Sequence, residues 1–250
     1  EAVASGIEEI CVVVAPGGDQ VFRDYFSGLS GALRSAIRDK PALEEAADQL
    51  ALLEKRMTYV TQHPQDGYGD AVLCAEAWAD GAPVLIMLGD HVYLSGESRR
   101  CARQLLEAFA QQQAPVSGVI QKPATDLHLF GAISGTLSTG AKHLYTVNRI
   151  VEKPDIPYAR THLRIDGLPE DTYLCWFGLH AMTPDIFDCL TELKTRGLKD
   201  DGEIQFTRAQ AMLATQRPYY ALEIYGDHYD IGVPDGYVRT VQAFAGENSK

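Results

Sequence analysis

The chain has none of the patterns that mark several common classes of protein. No apolar run approaches the roughly 20 residues of a membrane span, and the first residues lack the basic-then-apolar layout of a secretory signal peptide. The five cysteines show no C-x-x-C spacing, and the seven histidines form no H-x-x-x-H pair. These absences argue against a zinc motif and a disulfide framework, and they favour reduced thiols in a cytoplasmic protein.

Positive charge is also scarce. The chain has 22 lysines and arginines against 34 aspartates and glutamates, a formal net charge of −12. A general nucleic-acid binder needs a basic face, so this charge argues against that class, and no nucleic-acid or membrane partner is expected. An anionic small ligand stays possible, provided that a lysine, a helix N-terminus or a metal ion supplies local positive charge.

Two sequence motifs that mark common enzyme classes are missing from the chain. The chain contains neither G-x-x-x-x-G-K-[ST] nor G-x-S-x-G, which argues against a P-loop NTPase and an α/β-hydrolase. Gly67-Tyr68-Gly69 lacks the third glycine of a dinucleotide-binding loop. Asp70, which follows it, is expected to cap the N-terminus of a helix.

Apolar runs and helical patterns alternate along the first half of the chain, which is typical of βαβ units. We expect strands at 8–16, 57–62, 84–88 and 115–121, and helices at 41–56, 70–79 and 99–112. After Asp126 strand-like segments predominate, which indicates an antiparallel or mixed extension of the sheet. Helices at 184–193, 203–213 and 237–245 and a strand at 219–225 follow. One α/β domain spanning residues 1–250 is the simplest prediction.

The first six residues are unusual for such a protein. Glu1 to Gly6 has the pattern of the last turns of a helix with a glycine stop. A βαβ protein should have a strand before that helix. We therefore expect the first βα unit to be missing from the chain, which would leave a gap or an unpaired edge in the sheet.

Two aspartates follow predicted strands and could bind a metal ion. Asp90 comes directly after the apolar run "VLIML" and Gly89, at the carboxyl end of a strand, where ligands of open α/β sheets bind. Mg²⁺ prefers one or two carboxylates together with phosphate oxygens. Asp230 has a similar context in "YDIG". The alternatives are a turn cap for Asp90 and a surface turn for Asp230.

A charged pair ends another strand-like run. In "VEKP", Glu152 could accept hydrogen bonds from sugar hydroxyls, and Lys153 could meet a phosphate as a point charge. Pro154 favours an extended conformation at Lys153. A solvated turn at the sheet edge is the alternative.

The order and spacing of these segments resemble the sugar-1-phosphate nucleotidyltransferases, and within them the bacterial uridylyltransferases. The resemblance runs nearly end to end, on "EAVASGIEEICVVV", "TQHPQDGYGDAVLCA", "VLIMLGDHVY", "LFGAIS", "IVEKPD", "TPDIFDCL", "DDGEIQF" and "YDIGVPDGY". It implies a Rossmann-like mixed, mostly parallel sheet flanked by helices, and homo-oligomers. It also implies a Mg²⁺-dependent reaction of UTP with glucose 1-phosphate, giving UDP-glucose and pyrophosphate.

The resemblance also implies roles on the nucleotide side. Gln62 would read the uracil edge, and the backbone of Gly67 would lie against the base. Asp90 and Asp230 would hold the metal, with Asp90 in the catalytic machinery.

On the sugar side, the resemblance places Gly131 close to the sugar and Glu152 on its hydroxyls. Lys153 would be catalytic, pairing with the sugar phosphate, while Gly178 and Glu203 would help to line the site.

The chain departs from the family pattern in two respects. The glycine-rich loop with its arginine and lysines, which wraps the triphosphate in the family, is not found before Glu1. Arg208 replaces an acidic residue. Three alternatives to a uridylyltransferase stay open: a thymidylyl- or cytidylyltransferase, a non-catalytic sugar-phosphate-binding relative, or an interaction protein with an exposed sheet edge.

Overall fold

A computed structural model describes residues 1–247, which form ten strands and ten α-helices. The strands are β1 Ile10–Val14, β2 Met57–Thr61, β3 Val84–Met87, β4 His91–Ser95, β5 Val116–Pro123, β6 Gly131–Leu137, β7 Leu144–Glu152, β8 Thr172–Met182, β9 Tyr220–Glu223 and β10 Gly226–Asp230. The helices are α1 Asp19–Phe26, α2 Gly31–Ile37, α3 Pro41–Glu54, α4 Tyr68–Cys74, α5 Glu76–Ala79, α6 Cys101–Gln112, α7 Ile156–His162, α8 Asp185–Thr195, α9 Phe206–Gln216 and α10 Pro234–Glu247.

A six-stranded sheet in the order β3-β8-β5-β9-β7-β6 forms the centre of the fold. Its long strand β8 is buried along almost its whole length, because two apolar cores cover it. Trp176 and Met182 pack into one core with α8 and α9, while Phe177 and Leu179 pack into the other with α6. Helices on both sides of the sheet confirm the α/β class.

The mixed sheet is also confirmed, but antiparallel pairs outnumber parallel ones. Among the described residues, β1–β2 and β5–β9 are the parallel pairs, and six other pairs are antiparallel. The reason is that β8 runs antiparallel to each of its neighbours β3, β5 and β6. The expectation of a mostly parallel sheet is therefore corrected.

The N-terminal part contains a separate sheet. Strands β1 and β2 form a parallel pair, and within residues 1–247 no pairing joins β1 to β3. The expected helix end at residues 1–6 is a single 3-10 turn, Val3–Ser5, closed by Gly6 with a φ of 102°. The expectation that a βα unit is missing before Glu1 stays a prediction.

Two expectations about helices are wrong in detail. Asp70 does not cap a helix: α4 begins at Tyr68 after Gly67, and Asp70 lies inside it with its side chain buried. The helix expected from residue 203 begins at Phe206, because 200–203 form an isolated β-bridge between Asp200 and Glu203.

A short antiparallel pair of strands, β4 and β10, had not been expected. Its register places His91 directly opposite Asp230 and Val92 opposite Tyr229. Opposite residues of an antiparallel pair present their side chains on the same face. This pairing brings two distant parts of the chain together just after β3.

No helix of the described part of the chain is long and apolar enough to cross a membrane.

Candidate active site

Asp90, His91 and Asp230 form a compact cluster. Each offers one potential ligand atom, and these atoms all lie within 4.8 Å of one another. Asp90 lies in the turn after β3, His91 begins β4 and Asp230 ends β10. A divalent ion with ligands at about 2.1 Å separates opposite ligand atoms by about 4.2 Å, so one ion fits with small adjustments. The two aspartates predicted to converge do so.

The backbone around the cluster leaves room for an ion. Gly232 N donates to Asp230 Oδ1 at 2.8 Å, and Ile231 N donates to the backbone oxygen of Asp90 at 2.8 Å. A β-carbon on Gly232 would lie 2.9 Å from Asp90 Oδ2 and 3.1 Å from Asp230 Oδ1. Any larger residue at 232 would therefore occupy the space beside both carboxylates.

The imidazole of His91 is oriented by a backbone carbonyl. Its Nδ1 lies 2.7 Å from the oxygen of Phe177. A carbonyl oxygen can only accept, so Nδ1 carries the proton and Nε2 of the neutral ring is left with its lone pair. Nε2 lies 3.9 Å from Asp90 Oδ1. A carbonyl on the remote nitrogen is a common arrangement for a histidine that ligates a metal.

Gly178 makes this orientation possible. Its φ is +73°, and a β-carbon there would lie 2.4 Å from Leu88 Cδ1 and 2.8 Å from His91 Nδ1. Both the backbone conformation and the close approach favour glycine. The expected role of Gly178 in lining the sugar side stays a prediction.

Aromatic rings cover one side of His91. The ring of His228 stacks edge-on at 4.4 Å between centroids, and Phe177 and Phe130 lie 5.4 and 6.5 Å from His228. Burial lowers the pKa of His228 to about 3, and the nearby His91 and Lys122 add to the effect. His228 is therefore a neutral packing partner.

Two of the residues predicted for the sugar side, Gly131 and Glu152, also meet. Gly131 pairs with Glu152 across β6 and β7, and a β-carbon on Gly131 would lie 2.9 Å from Glu152 Oε2 and 2.7 Å from Trp176 Cδ1. Thr207 donates to the same Glu152 oxygen at 2.6 Å. Lys153 follows with a φ of 42°, not the expected extended conformation, since its N–H donates to the Phe130 carbonyl at 3.1 Å.

The loop predicted to bind the base is anchored inside the protein. The side-chain nitrogen of Gln62 donates to Gly67 O at 2.9 Å and to Asp70 Oδ2 at 3.0 Å. Lys194 of α8 binds the other oxygen of Asp70 at 2.6 Å. Burial disfavours the Asp70 carboxylate, but hydrogen bonds from Lys194 and Gln62 outweigh it and lower the pKa of Asp70.

Glu203 contacts this loop and not the sugar-side cluster. A β-carbon on Gly67 would lie 2.7 Å from Glu203 Cβ, and Ile204 N donates to Asp66 O at 2.9 Å. The assignment of Glu203 to the sugar side stays a prediction. Arg208, which stands where an acidic residue was expected, pairs with Asp200 at 2.8 Å.

The clusters are joined through the middle of β8. Trp176 contacts Gly131, the next residue, Phe177, holds His91, and Gly178 makes room for that ring. Phe130 and His228 connect the backbone of Lys153 to His91. Packed residues of β8 thus connect the cluster of Asp90, His91 and Asp230 to the cluster of Gly131, Glu152 and Thr207.

Comparison with known proteins identifies the family. The family model described as nucleotidyl transferase matches residues 2–246. A UTP–glucose-1-phosphate uridylyltransferase of Staphylococcus saprophyticus is 31% identical over 253 residues, covering 98% of this chain and 78% of the relative. The chain belongs to the nucleotidyl transferase family.

Other relatives agree with this assignment. A uridylyltransferase of Streptococcus pyogenes is 29% identical to this nucleotidyltransferase over 250 residues, covering 99% of the chain and 77% of the relative. A crystal structure of apo UDP-glucose pyrophosphorylase superimposes with a TM-score of 0.82 at 24% identity, over 99% of this chain and 84% of the other. A UTP-bound enzyme from Acinetobacter baumannii gives a TM-score of 0.72 at 23% identity, over 97% and 79%. The nucleotide-diphospho-sugar transferase fold is thereby confirmed.

Sequence reasoning about this nucleotidyltransferase missed three residues that complete the clusters. His91 is next to Asp90 in the chain, but only the β4–β10 register places it opposite Asp230. Lys194 lies 124 residues from its partner Asp70, and Thr207 lies 55 residues from Glu152. Its position next to Asp90 was the only feature of the sequence that indicated His91. No feature of the sequence indicated Lys194 or Thr207.

Proposed function

We propose that the protein transfers a uridylyl group from UTP to glucose 1-phosphate. An oxygen of the sugar phosphate forms a bond to the α-phosphorus of UTP, the bridging bond to the β-phosphate breaks, and pyrophosphate leaves. The observation that carries the proposal is the convergence of Asp90, His91 and Asp230, in a chain of this family, beside the cluster of Gly131 and Glu152.

The residues present fit a divalent cation, and Mg²⁺ is the proposed one. Asp90 and Asp230 would hold it, with His91 as a nitrogen ligand, since three ligand atoms lie within 4.8 Å and Gly232 leaves the space beside them open. A bound Mg²⁺ supplies positive charge next to the reacting phosphates. This accounts for anion binding by a chain with a net charge of −12.

The other side chains have positioning and electrostatic roles in the proposal. Lys153 pairs with the sugar phosphate and stabilises charge that develops on the phosphorus oxygens. Glu152, oriented by Thr207, accepts hydrogen bonds from sugar hydroxyls, and Gly131 lets the sugar approach. Gln62 binds the base edge beside Gly67. In-line transfer needs little more than this positioning.

An assay of pyrophosphate release tests the proposal. The full-length protein is incubated with UTP, glucose 1-phosphate and Mg²⁺, and then with other nucleoside triphosphates and sugar phosphates. We expect the highest kcat/KM with UTP and glucose 1-phosphate. Thymidylyl transfer would be identified by a higher value with dTTP. No product with any pair of substrates would contradict the transferase proposal.

We also propose that the protein is a cytoplasmic homo-oligomer. Five free cysteines support a reducing compartment. Exposed apolar side chains on α10 support self-association: Tyr237, Val238 and Val241 are each more than half exposed. Light scattering after size-exclusion chromatography tests the association, and a monomer at micromolar concentration would contradict it.

A further inference from the structure

The side-chain amide of Gln62 is held in one orientation by two hydrogen-bond acceptors, Gly67 and Asp70. Its nitrogen contacts Gly67 O at 2.9 Å and Asp70 Oδ2 at 3.0 Å. A backbone carbonyl and an ionised carboxylate can only accept hydrogen bonds, so both N–H groups of the amide are used. The amide oxygen accepts no hydrogen bond within residues 1–247. The group that Gln62 can present to a ligand is therefore an acceptor.

One of the two hydrogen bonds that fix this orientation depends on Asp70 remaining ionised in a buried position. The residue is 1% exposed, and a buried carboxylate without a partner would take up a proton. Lys194 binds its other oxygen at 2.6 Å and lies at the partly exposed end of α8. A protonated carboxyl group could donate to the oxygen of Gln62 and allow the amide to turn.

We propose that the Asp70–Lys194 ion pair is a specificity device, in which Asp70 fixes the Gln62 amide so that its oxygen accepts the N3–H of uracil or thymine and rejects cytosine. The inference rests on the proposed contact between Gln62 and the base. Uracil and thymine carry a hydrogen at N3, whereas N3 of cytosine is an acceptor that faces Gln62 Oε1 without a proton between them. Asp70 and Lys194 act as positioning residues.

Substitution of Asp70 by asparagine reverses the donor pattern with almost no change of volume. The ammonium of Lys194 can contact only the oxygen of the new amide, so the amide nitrogen faces Gln62. Gln62 satisfies it by turning its own oxygen inward, at the cost of its hydrogen bond to Gly67 O, and its NH₂ then faces the base. That arrangement suits cytosine N3.

The test compares kcat/KM for UTP and CTP, with equilibrium binding of both nucleotides measured by calorimetry. For Asp70→Asn we expect the UTP-to-CTP ratio to fall at least about tenfold, the size of one misplaced hydrogen bond. Lys194→Met, in which burial favours the protonated Asp70, should shift the ratio in the same direction. Asp66→Asn is the matched control, because it removes the neighbouring Asp66–Lys199 pair without touching Gln62.

The outcomes separate this inference from the proposed function. If Gln62→Met lowers the ratio but Asp70→Asn and Lys194→Met leave it unchanged, the ion pair has no role in specificity and the inference is wrong. If Gln62→Met also leaves the ratio unchanged, the proposed contact between Gln62 and the base is wrong. An equal fall in Asp66→Asn would also overturn the inference, since a general loosening of the loop would explain it.

Discussion

At the scale of single residues, the two aspartates differ in their surroundings. Asp90 has a side chain that is 54% exposed and lies in a turn, so we expect its carboxylate to contribute little to the stability of the fold. Asp230 accepts a hydrogen bond from Gly232 and ends β10. Asp90 is therefore the residue in which a catalytic role can best be separated from a structural one.

Asp90→Asn should abolish turnover while leaving the fold intact. The substitution keeps the shape but removes a charge from the proposed cation site, and we expect kcat to fall at least about a hundredfold. Pyrophosphate release at saturating Mg²⁺ measures the effect, and circular dichroism checks the fold. A rate close to that of the wild type would reject the metal role of Asp90.

Other residues of the site were only partly accessible to sequence reasoning. The carboxylates, Glu152 and Lys153 could be named because charge beside a predicted strand end is visible in the sequence. The orientation of His91 was not visible, because it depends on the Phe177 carbonyl, 86 residues away. Asp70 was misinterpreted as a helix cap, since its partner Lys194 is remote in sequence.

At the scale of elements, Gly178 determines how closely β8 can approach the turn after β3. Both a left-handed φ of +73° and the close contacts with Leu88 and His91 exclude a side chain there. Gly167 offers a comparison, because its φ is +93° but a β-carbon would meet nothing within 4 Å. Comparing the two glycines therefore separates the free-energy cost of a positive φ from the cost of the contacts with Leu88 and His91.

Gly178→Ala should destabilise the protein by about 2 kcal/mol more than Gly167→Ala. Both substitutions add the strain of a positive φ, but only the first drives Leu88 and His91 away. Urea unfolding of the two variants measures the difference. Equal losses of stability would mean that the contacts at Gly178 relax without cost.

Prediction of the elements succeeded where the apolar pattern is strong. The runs that become β1, β3, β5 and β8 are apolar enough to be recognised as strands. The sequence of β10, "GDHYD", is not apolar, so nothing in it predicts a strand. The strand is formed by its pairing with β4. The β4–β10 pair places His91 opposite Asp230, so the strand with the weakest sequence pattern is one on which the candidate site depends.

At the scale of the whole molecule, a buried polar network stabilises the sheet between β5, β8 and α9. His180 Nδ1 lies 2.7 Å from Ser117 Oγ, which lies 2.7 Å from Tyr219 OH, and Gln210 donates to this tyrosine at 2.8 Å. Burial lowers the pKa of His180 to about 3, with a further contribution from His91. The folded protein therefore keeps His180 neutral.

This network should make stability fall on acidification. Between pH 6.5 and about 3, the unfolded chain binds a proton at His180 and the folded chain does not, so the free energy of unfolding decreases as the pH falls. The expected contribution is about 1 kcal/mol per pH unit. Urea unfolding from pH 6.5 to 4.5 should give a shallower dependence for His180→Asn than for the wild type. Parallel curves would contradict the assignment.

The global topology was less predictable than the class. Alternating strands and helices are sufficient to infer an α/β fold with helices on both faces. The antiparallel direction of β8 against three neighbours is a matter of tertiary pairing, which periodicity does not encode. Net charge limited the class of ligand, and the pairing of distant strands brings together the residues that would bind it.

A crystal of the full-length protein grown with Mn²⁺ and UDP-glucose, measured at the manganese absorption edge, tests the central claim most directly. We expect one anomalous peak within about 2.3 Å of carboxylate oxygens from both Asp90 and Asp230, and near His91 Nε2, with the diphosphate alongside. A manganese peak bound elsewhere, with both carboxylates free of it, would contradict the account.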